Sequence, residues 1–174
     1  MTSTTHLPDA LTAEFVGRPG DFAFLAGRWQ VTNRRLRERG VGCTEWNTIP
    51  AVNEGWSLMN GQISVDEITF EGQPFIGSTF RTLDVAAGRW AIYWVSSRDG
   101  RLQPPVHGGW AGDRGMFIGD DRDGDRPIRV RFLWERLGAD VARWSQDFAP
   151  IDAEGALAGP WETNWIMDFR RLPR

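Results

Sequence analysis

The strongest constraint on the fold of this chain is an alternation of apolar and polar residues that starts at Trp29 and recurs to the end. In the segment WQVTN, Trp29, Val31 and Asn33 share one face, and Gln30 and Thr32 share the other. A period of two residues is that of a β-strand. Turn sequences such as AAG, RDG and DRDGD separate further runs of this kind, at residues 44–52, 56–60, 62–70, 75–84, 89–97, 106–111, 115–119, 127–136, 141–149 and 161–171.

These runs predict an all-β fold, namely an antiparallel up-and-down barrel of about eight to ten strands. A closed barrel is favoured because closure removes the unpaired edges of an open sheet. A β-sandwich is the alternative. The 174 residues are typical of one domain, 1–174, of which residues 1–20 form an N-terminal helix and extension.

The predicted N-terminal helix covers Pro8 to Val16, PDALTAEFV, in which Leu11 and Phe15 are four residues apart. The following segment, DFAFLAG, starts with an aspartate and ends with a glycine, which is typical of one or two more helical turns. The chain is therefore expected to enter the barrel through a short helical element.

Charge and composition exclude several classes of function. The net charge is -3, with arginine and acidic residues intermixed, so no basic face for nucleic acid is expected. All 20 basic residues are arginine, which excludes Schiff-base and P-loop lysine chemistry. The single Cys43 cannot form an internal disulfide, and the first residues contain no apolar run typical of a signal or membrane span. We expect a cytoplasmic protein with no membrane partner.

Aromatic residues repeatedly share one parity of their predicted strands, which predicts a tryptophan-lined lumen. A ring-containing or hydrophobic small molecule would suit such a lumen. The alternative is a purely structural role, in which the rings fill the interior of a small barrel and leave no cavity. Polar residues on the same faces favour a cavity, because burying them dry and unpaired would cost a few kcal/mol. The expected ligand-binding residues are Asn33, Trp94, Ser96, Arg131, Trp144, Gln146, Thr163 and Trp165.

The segment DFAFLAGRWQVTNRRL, a helical turn followed by Gly27-Arg28-Trp29, resembles the opening of the calycins, the lipocalin-like barrels. This resemblance implies that Trp29 seals one end of the barrel. It also implies that an arginine of the last strand, Arg170 or Arg171, covers that tryptophan; we take Arg170 as the stacked residue. Both roles are structural.

Further segments, GRWAIYWVSSR, GDDRDGDRPIRVRFLW, ARWSQDF and WETNWIMDF, are similar to a bacterial family of calycin-like domains of unknown function. The resemblance covers nearly the whole chain and implies a closed barrel around a pocket, without an agreed activity. The family has an aliphatic residue at the position of His107, which leaves room for a specialised chemistry here.

An enzyme is the alternative function, of a cofactor-independent cyclase, isomerase or lyase type in the same pocket. The tentative catalytic residues are His107 and Tyr93 as proton donor or base, with Glu45, Arg131 or Asn33 polarising a carbonyl. Tyr93 has the opposite parity from Trp94, so both face the lumen only if a bulge intervenes. No metal and no cofactor are expected; haem with His107 as axial ligand is a weaker alternative.

A third class of function is an interaction protein, in which one tryptophan face points outward and anchors a homodimer. The three classes make different predictions for the tryptophans. Rings that line or fill a lumen are shielded from solvent, whereas rings in an interface are accessible in the monomer. The favoured partner is a hydrophobic or aromatic small molecule.

Overall fold

The structure, a computed structural model, describes residues 9–173, which form a closed barrel of ten antiparallel strands. Each strand pairs with the next in sequence, and the last pairs with the first. This confirms the predicted up-and-down barrel over the sandwich. The strands are β1 (Gly27–Leu36), β2 (Trp46–Leu58), β3 (Ile63–Phe70), β4 (Ile76–Asp84), β5 (Arg89–Ser96), β6 (Val106–Ala111), β7 (Arg114–Asp123), β8 (Arg126–Gly138), β9 (Val141–Pro150) and β10 (Glu162–Arg171).

The predicted strands 44–52 and 56–60 form one continuous strand, β2. The residues between them, Asn53, Glu54 and Gly55, pair with β1 on one side and β3 on the other. Asn and Gly are typical of turns, but here two neighbouring strands hold them extended. Gly55 also makes room for the N-terminal segment, since a Cβ there would lie 2.4 Å from the carbonyl oxygen of Leu25.

The N-terminal segment is not the helix predicted over residues 8–16. Pro8 lies outside the described residues, and residues 9–16 contain no helix. Instead Val16 and Trp110 exchange two backbone hydrogen bonds of 3.1 Å. This approach depends on Gly109, because a Cβ there would lie 2.5 Å from the carbonyl carbon of Val16. The helical part is a single 3₁₀ turn, Ala23–Leu25, inside the segment DFAFLAG.

One end of the barrel is plugged by that turn, and we call it the closed end. Phe22 is 1% exposed and lies edge-on to Trp90 and Trp110, with ring centroids 5.0 and 5.4 Å apart. The indole nitrogen of Trp29 donates to the carbonyl oxygen of Leu25 at 3.1 Å. The closed end of the barrel is therefore filled mainly by aromatic side chains.

Trp29 is covered by an arginine of β10, as the resemblance to calycins implies. The residue is Arg171, whose guanidinium carbon lies 4.1 Å from the ring centroid of Trp29. Arg171 also donates to the carbonyl oxygens of Ala26 and Phe24, at 2.8 and 2.7 Å. The prediction of Arg170 was wrong, because Arg170 has the opposite parity on β10 and its side chain is exposed on the outer face of the barrel.

Candidate binding site

A cavity of about 110 Å³ lies in the half of the barrel away from the closed end, which we call the upper half. The cavity opens at the opposite end of the barrel, the open end. Its walls are mostly aromatic, because the inward positions of β5, β8, β9 and β10 carry large rings. At the open end, Gln103, Pro104, Asp120 and Asp121 complete the wall. The rings that line the cavity are Trp94, Phe132, Trp134, Trp144, Phe148, Trp165 and Phe169.

Three tryptophans form the centre of this wall through edge-to-face contacts. Trp165 lies between Trp94 and Trp144, with centroid distances of 5.9 and 5.2 Å and interplanar angles of 89°. Trp144 also meets Phe132 edge-on at 4.9 Å. Aromatic pairs prefer this geometry to a face-to-face sandwich. The rings thus hold one another in place and leave space beside them.

The floor of the cavity is a buried ion pair between β3 and β4. Arg81 contacts Asp66 at 2.5 Å, and the two side chains are only 4% and 6% exposed. Arg81 also donates to the hydroxyl of Ser64 at 3.3 Å and stacks over Phe22, 4.9 Å from its centroid. The amide of Asn53, with its nitrogen turned toward Asp66, donates to Oδ1 at 3.1 Å. A buried charge pair needs such additional hydrogen bonds to offset its desolvation.

The sequence analysis did not identify this polar floor, because it considered the aromatic and uncharged polar residues of each strand face and did not include Asp66 or Arg81. A signal was present in the parity of β3 and β4. Asp66 has the parity of the buried Ile68 and Phe70, and Arg81 that of the buried Leu83. Opposite charges on the lumen face of adjacent strands are able to pair across the sheet.

Five of the eight expected ligand-binding residues come together at the cavity: Asn33, Trp94, Trp144, Gln146 and Trp165. All but Asn33 line it. Asn33 is fully buried behind the wall, where its Oδ1 accepts from the indole nitrogen of Trp165 at 3.1 Å. Gln146 donates to Asn164 at 2.8 Å. Their roles in binding stay predictions.

Thr163 and Arg131 lie on the outer face of the barrel. A bulge between Thr163 and Trp165 changes the register with β9, so the expectation that both share one face was wrong. Thr163 donates to Asp147 at 2.7 Å, and Asp147 pairs with Arg131 at 2.8 Å. The ring of Trp161 covers Arg131, 4.2 Å from the guanidinium carbon. The result is a second buried ion pair, outside the lumen.

The remaining expected residues are dispersed. Ser96 ends β5, is not among the residues that line the cavity, and its hydroxyl accepts from the backbone of Arg98 at 3.3 Å. His107 is exposed, with a parity opposite to the lumen-facing Val106. Tyr93 has the opposite parity from Trp94, without an intervening bulge. Glu45, between β1 and β2, pairs with Arg37 at 2.5 Å on the surface.

The structure therefore does not bring His107, Tyr93 and Glu45 into one cavity with each other or with the tryptophans. Within residues 9–173, no three His, Cys, Asp or Glu side chains are grouped closely enough to hold a metal ion. The described helices include none with the length and apolar character needed to span a membrane.

The chain was compared with family models and with curated proteins. No family model matches the chain, and no curated protein matches it. The similarity to calycins is thus supported at the level of the closed antiparallel barrel, while membership of the particular bacterial family stays a resemblance.

Proposed function

We propose that this protein binds a hydrophobic or aromatic small molecule in the upper half of the barrel. The observation that carries the proposal is the aromatic cavity of about 110 Å³ above a polar floor. Apolar cavities of roughly 150 Å³ are able to hold benzene, so this space is somewhat smaller than one known to hold a single ring. Three residues of its wall, Trp94, Phe148 and Trp165, are half-buried, so the cavity is accessible from solvent.

The distribution of tryptophans supports a ligand in the lumen over an interaction surface. Of the ten tryptophans in the sequence, Trp46 and Trp56 are exposed, at 38% and 47%. The other eight are buried or half-buried. Quenching of tryptophan fluorescence by acrylamide is therefore expected to reach a minority of the rings.

The test is binding of propylbenzene, measured by calorimetry and by the change in tryptophan fluorescence. Val130→Phe adds a ring to the cavity wall and should weaken binding by about tenfold or more. The added ring competes with the ligand for the same space, and overpacking costs about 1–3 kcal/mol. Val52→Phe is the matched control, because Val52 is half-buried on the outer parity of β2. Its affinity should stay within about twofold of wild type.

Two results would contradict the proposal. One is no binding of propylbenzene up to its solubility, and the other is binding that Val130→Phe does not change. His107→Ala provides a further arm, because His107 lies on the outer face. A loss of affinity in that variant would move the site from the lumen to the surface around β6.

A further inference from the structure

Arg35 is an exception among the arginines of the barrel. In the part of the chain that the structure describes, it is the one non-exposed arginine whose guanidinium has neither an ion pair nor a hydrogen bond. Its Nε is fully buried without a partner. A buried charge is normally paired, because its desolvation is otherwise uncompensated. Arg35 therefore requires an explanation beyond the stability of the fold.

The position of Arg35 connects it to the cavity. It has the lumen-facing parity of β1, together with Val31 and Asn33. Its guanidinium carbon lies 3.6 Å from the ring centroid of Trp165 and 5.0 Å from that of Phe70. Arg35 pairs with Trp165 across β1 and β10, so its side chain projects from the same face as this ring of the cavity wall, at the open end of the barrel.

A second arginine without a carboxylate partner lies beside it. The guanidinium carbon of Arg98 is 3.9 Å from the centroid of Phe75, and that of Arg35 is 6.0 Å from the same centroid. Burial, followed by the positive charges of Arg98 and Arg39, lowers the pKa of Arg35 to about 10. Among the described residues, neither Arg35 nor Arg98 has a carboxylate partner, so an anion between the two guanidinium groups would offset their mutual repulsion.

We propose that the ligand is an amphipathic carboxylic acid, whose apolar part occupies the aromatic cavity and whose carboxylate binds Arg35 and Arg98 at the open end. This inference rests on the proposed function and specifies the chemical class of its ligand. A guanidinium presents paired N–H donors that match a carboxylate, and its hydrogen bonds to an anion are stronger than neutral ones. The aromatic rings under both arginines hold their planar groups in place without neutralising them.

The experiment compares three probes of one shape at neutral pH: 3-phenylpropionate, propylbenzene and 3-phenylpropylamine. Calorimetry on the wild-type protein should show that 3-phenylpropionate binds about tenfold or more tighter than either of the others. Arg35→Gln removes the charge and should abolish that advantage, so that 3-phenylpropionate binds the variant no more tightly than propylbenzene does. Arg35→Lys retains the charge and should keep part of the advantage for the acid.

Arg28→Gln is the matched control, because Arg28 lies on the same strand, is exposed and gives the same change in net charge. It should leave all three affinities unchanged. Circular dichroism establishes that each variant is folded before binding is compared.

The outcomes separate the two proposals. If propylbenzene binds and 3-phenylpropionate binds no better, the acid proposal is overturned while the binding function stands. An advantage for the acid that survives Arg35→Gln also overturns it. If none of the three probes binds, the binding function itself fails, and the ligand class fails with it.

Discussion

The indole ring of Trp94 occupies the space in which a side chain at position 77 would lie. A Cβ on Gly77 would overlap the Cη2 atom of that ring. The two residues are diagonal neighbours on β4 and β5, where Gly77 pairs with Ser96 and Trp94 pairs with Thr79. A residue without a side chain thus sets the position of one wall of the cavity.

We expect Gly77→Ala to push Trp94 out of this position and to lower the free energy of unfolding by about 1–3 kcal/mol, as overpacking does. Urea denaturation measures the change. Gly138→Ala is the control, because a Cβ at Gly138 meets no atom within 4 Å. Equal effects of the two substitutions would show that the ring of Trp94 is not held by this contact.

Trp144 is 5% exposed and packs against Phe132 and Trp165. Its replacement by alanine should reduce the free energy of unfolding by about 3–5 kcal/mol, because a large cavity is left inside the barrel. Trp56 is 47% exposed, and Trp56→Ala should cost clearly less. The comparison uses denaturant midpoints with unchanged slopes. Similar losses for the two variants would contradict a packed lumen wall.

Arg171→Ala and Arg170→Ala compare adjacent arginines that differ in their contacts. Arg171 stacks on Trp29 and donates to two backbone carbonyls of the N-terminal segment. Its loss should destabilise the protein by about 2 kcal/mol or more. Arg170 is exposed, so its replacement should change stability by less than about 0.5 kcal/mol. A larger effect at position 170 in thermal or urea unfolding would reverse this assignment.

The ionised carboxylate of Asp123, at the open end, should stabilise the protein less in acid than at neutral pH. A hydrogen bond from Arg39 holds the pKa of this carboxyl below its ordinary value of 3.8, and the charge of Arg39 and the contacts of Arg126 add to the effect. Because the folded-state pKa is depressed, the stabilisation is present above the ordinary value and is lost as pH falls through the folded-state pKa. The segment between β1 and β2, which contains Arg39, is tied to the β7–β8 hairpin through this group.

Asp123→Asn tests this prediction. The variant should unfold at a lower denaturant concentration than wild type near about pH 7, and the difference should shrink below about pH 4. Asp125→Asn, in the same hairpin and exposed, is the control and should show little difference at either pH. If the difference in denaturant midpoint between wild type and Asp123→Asn did not change with pH, the ionised carboxylate would be excluded as the source of that difference.

Much of the architecture could be predicted from local pattern. The parity of Trp90, Ile92 and Trp94 correctly grouped these residues on one face of β5, because a residue two positions along a regular strand returns to the same side, and the structure shows that this face is the inner one. Turn residues between the runs indicated hairpins, and hairpins in series indicated a closed barrel. The same reasoning failed at Asn53 to Gly55, where turn-type residues lie within a strand.

The sequence by itself therefore determined the class of the fold, the order of its strands and most of the aromatic lining, since these follow from periodicity along the chain. Only the tertiary structure decided three features that depend on pairing between distant segments. The bulge before Trp165 moves Thr163 to the outer face, because one extra residue changes the register with β9. Asp66 and Arg81 form a polar floor, because closure places their strands side by side around the lumen. Arg35 stacks on Trp165, because barrel closure places the first strand beside the last.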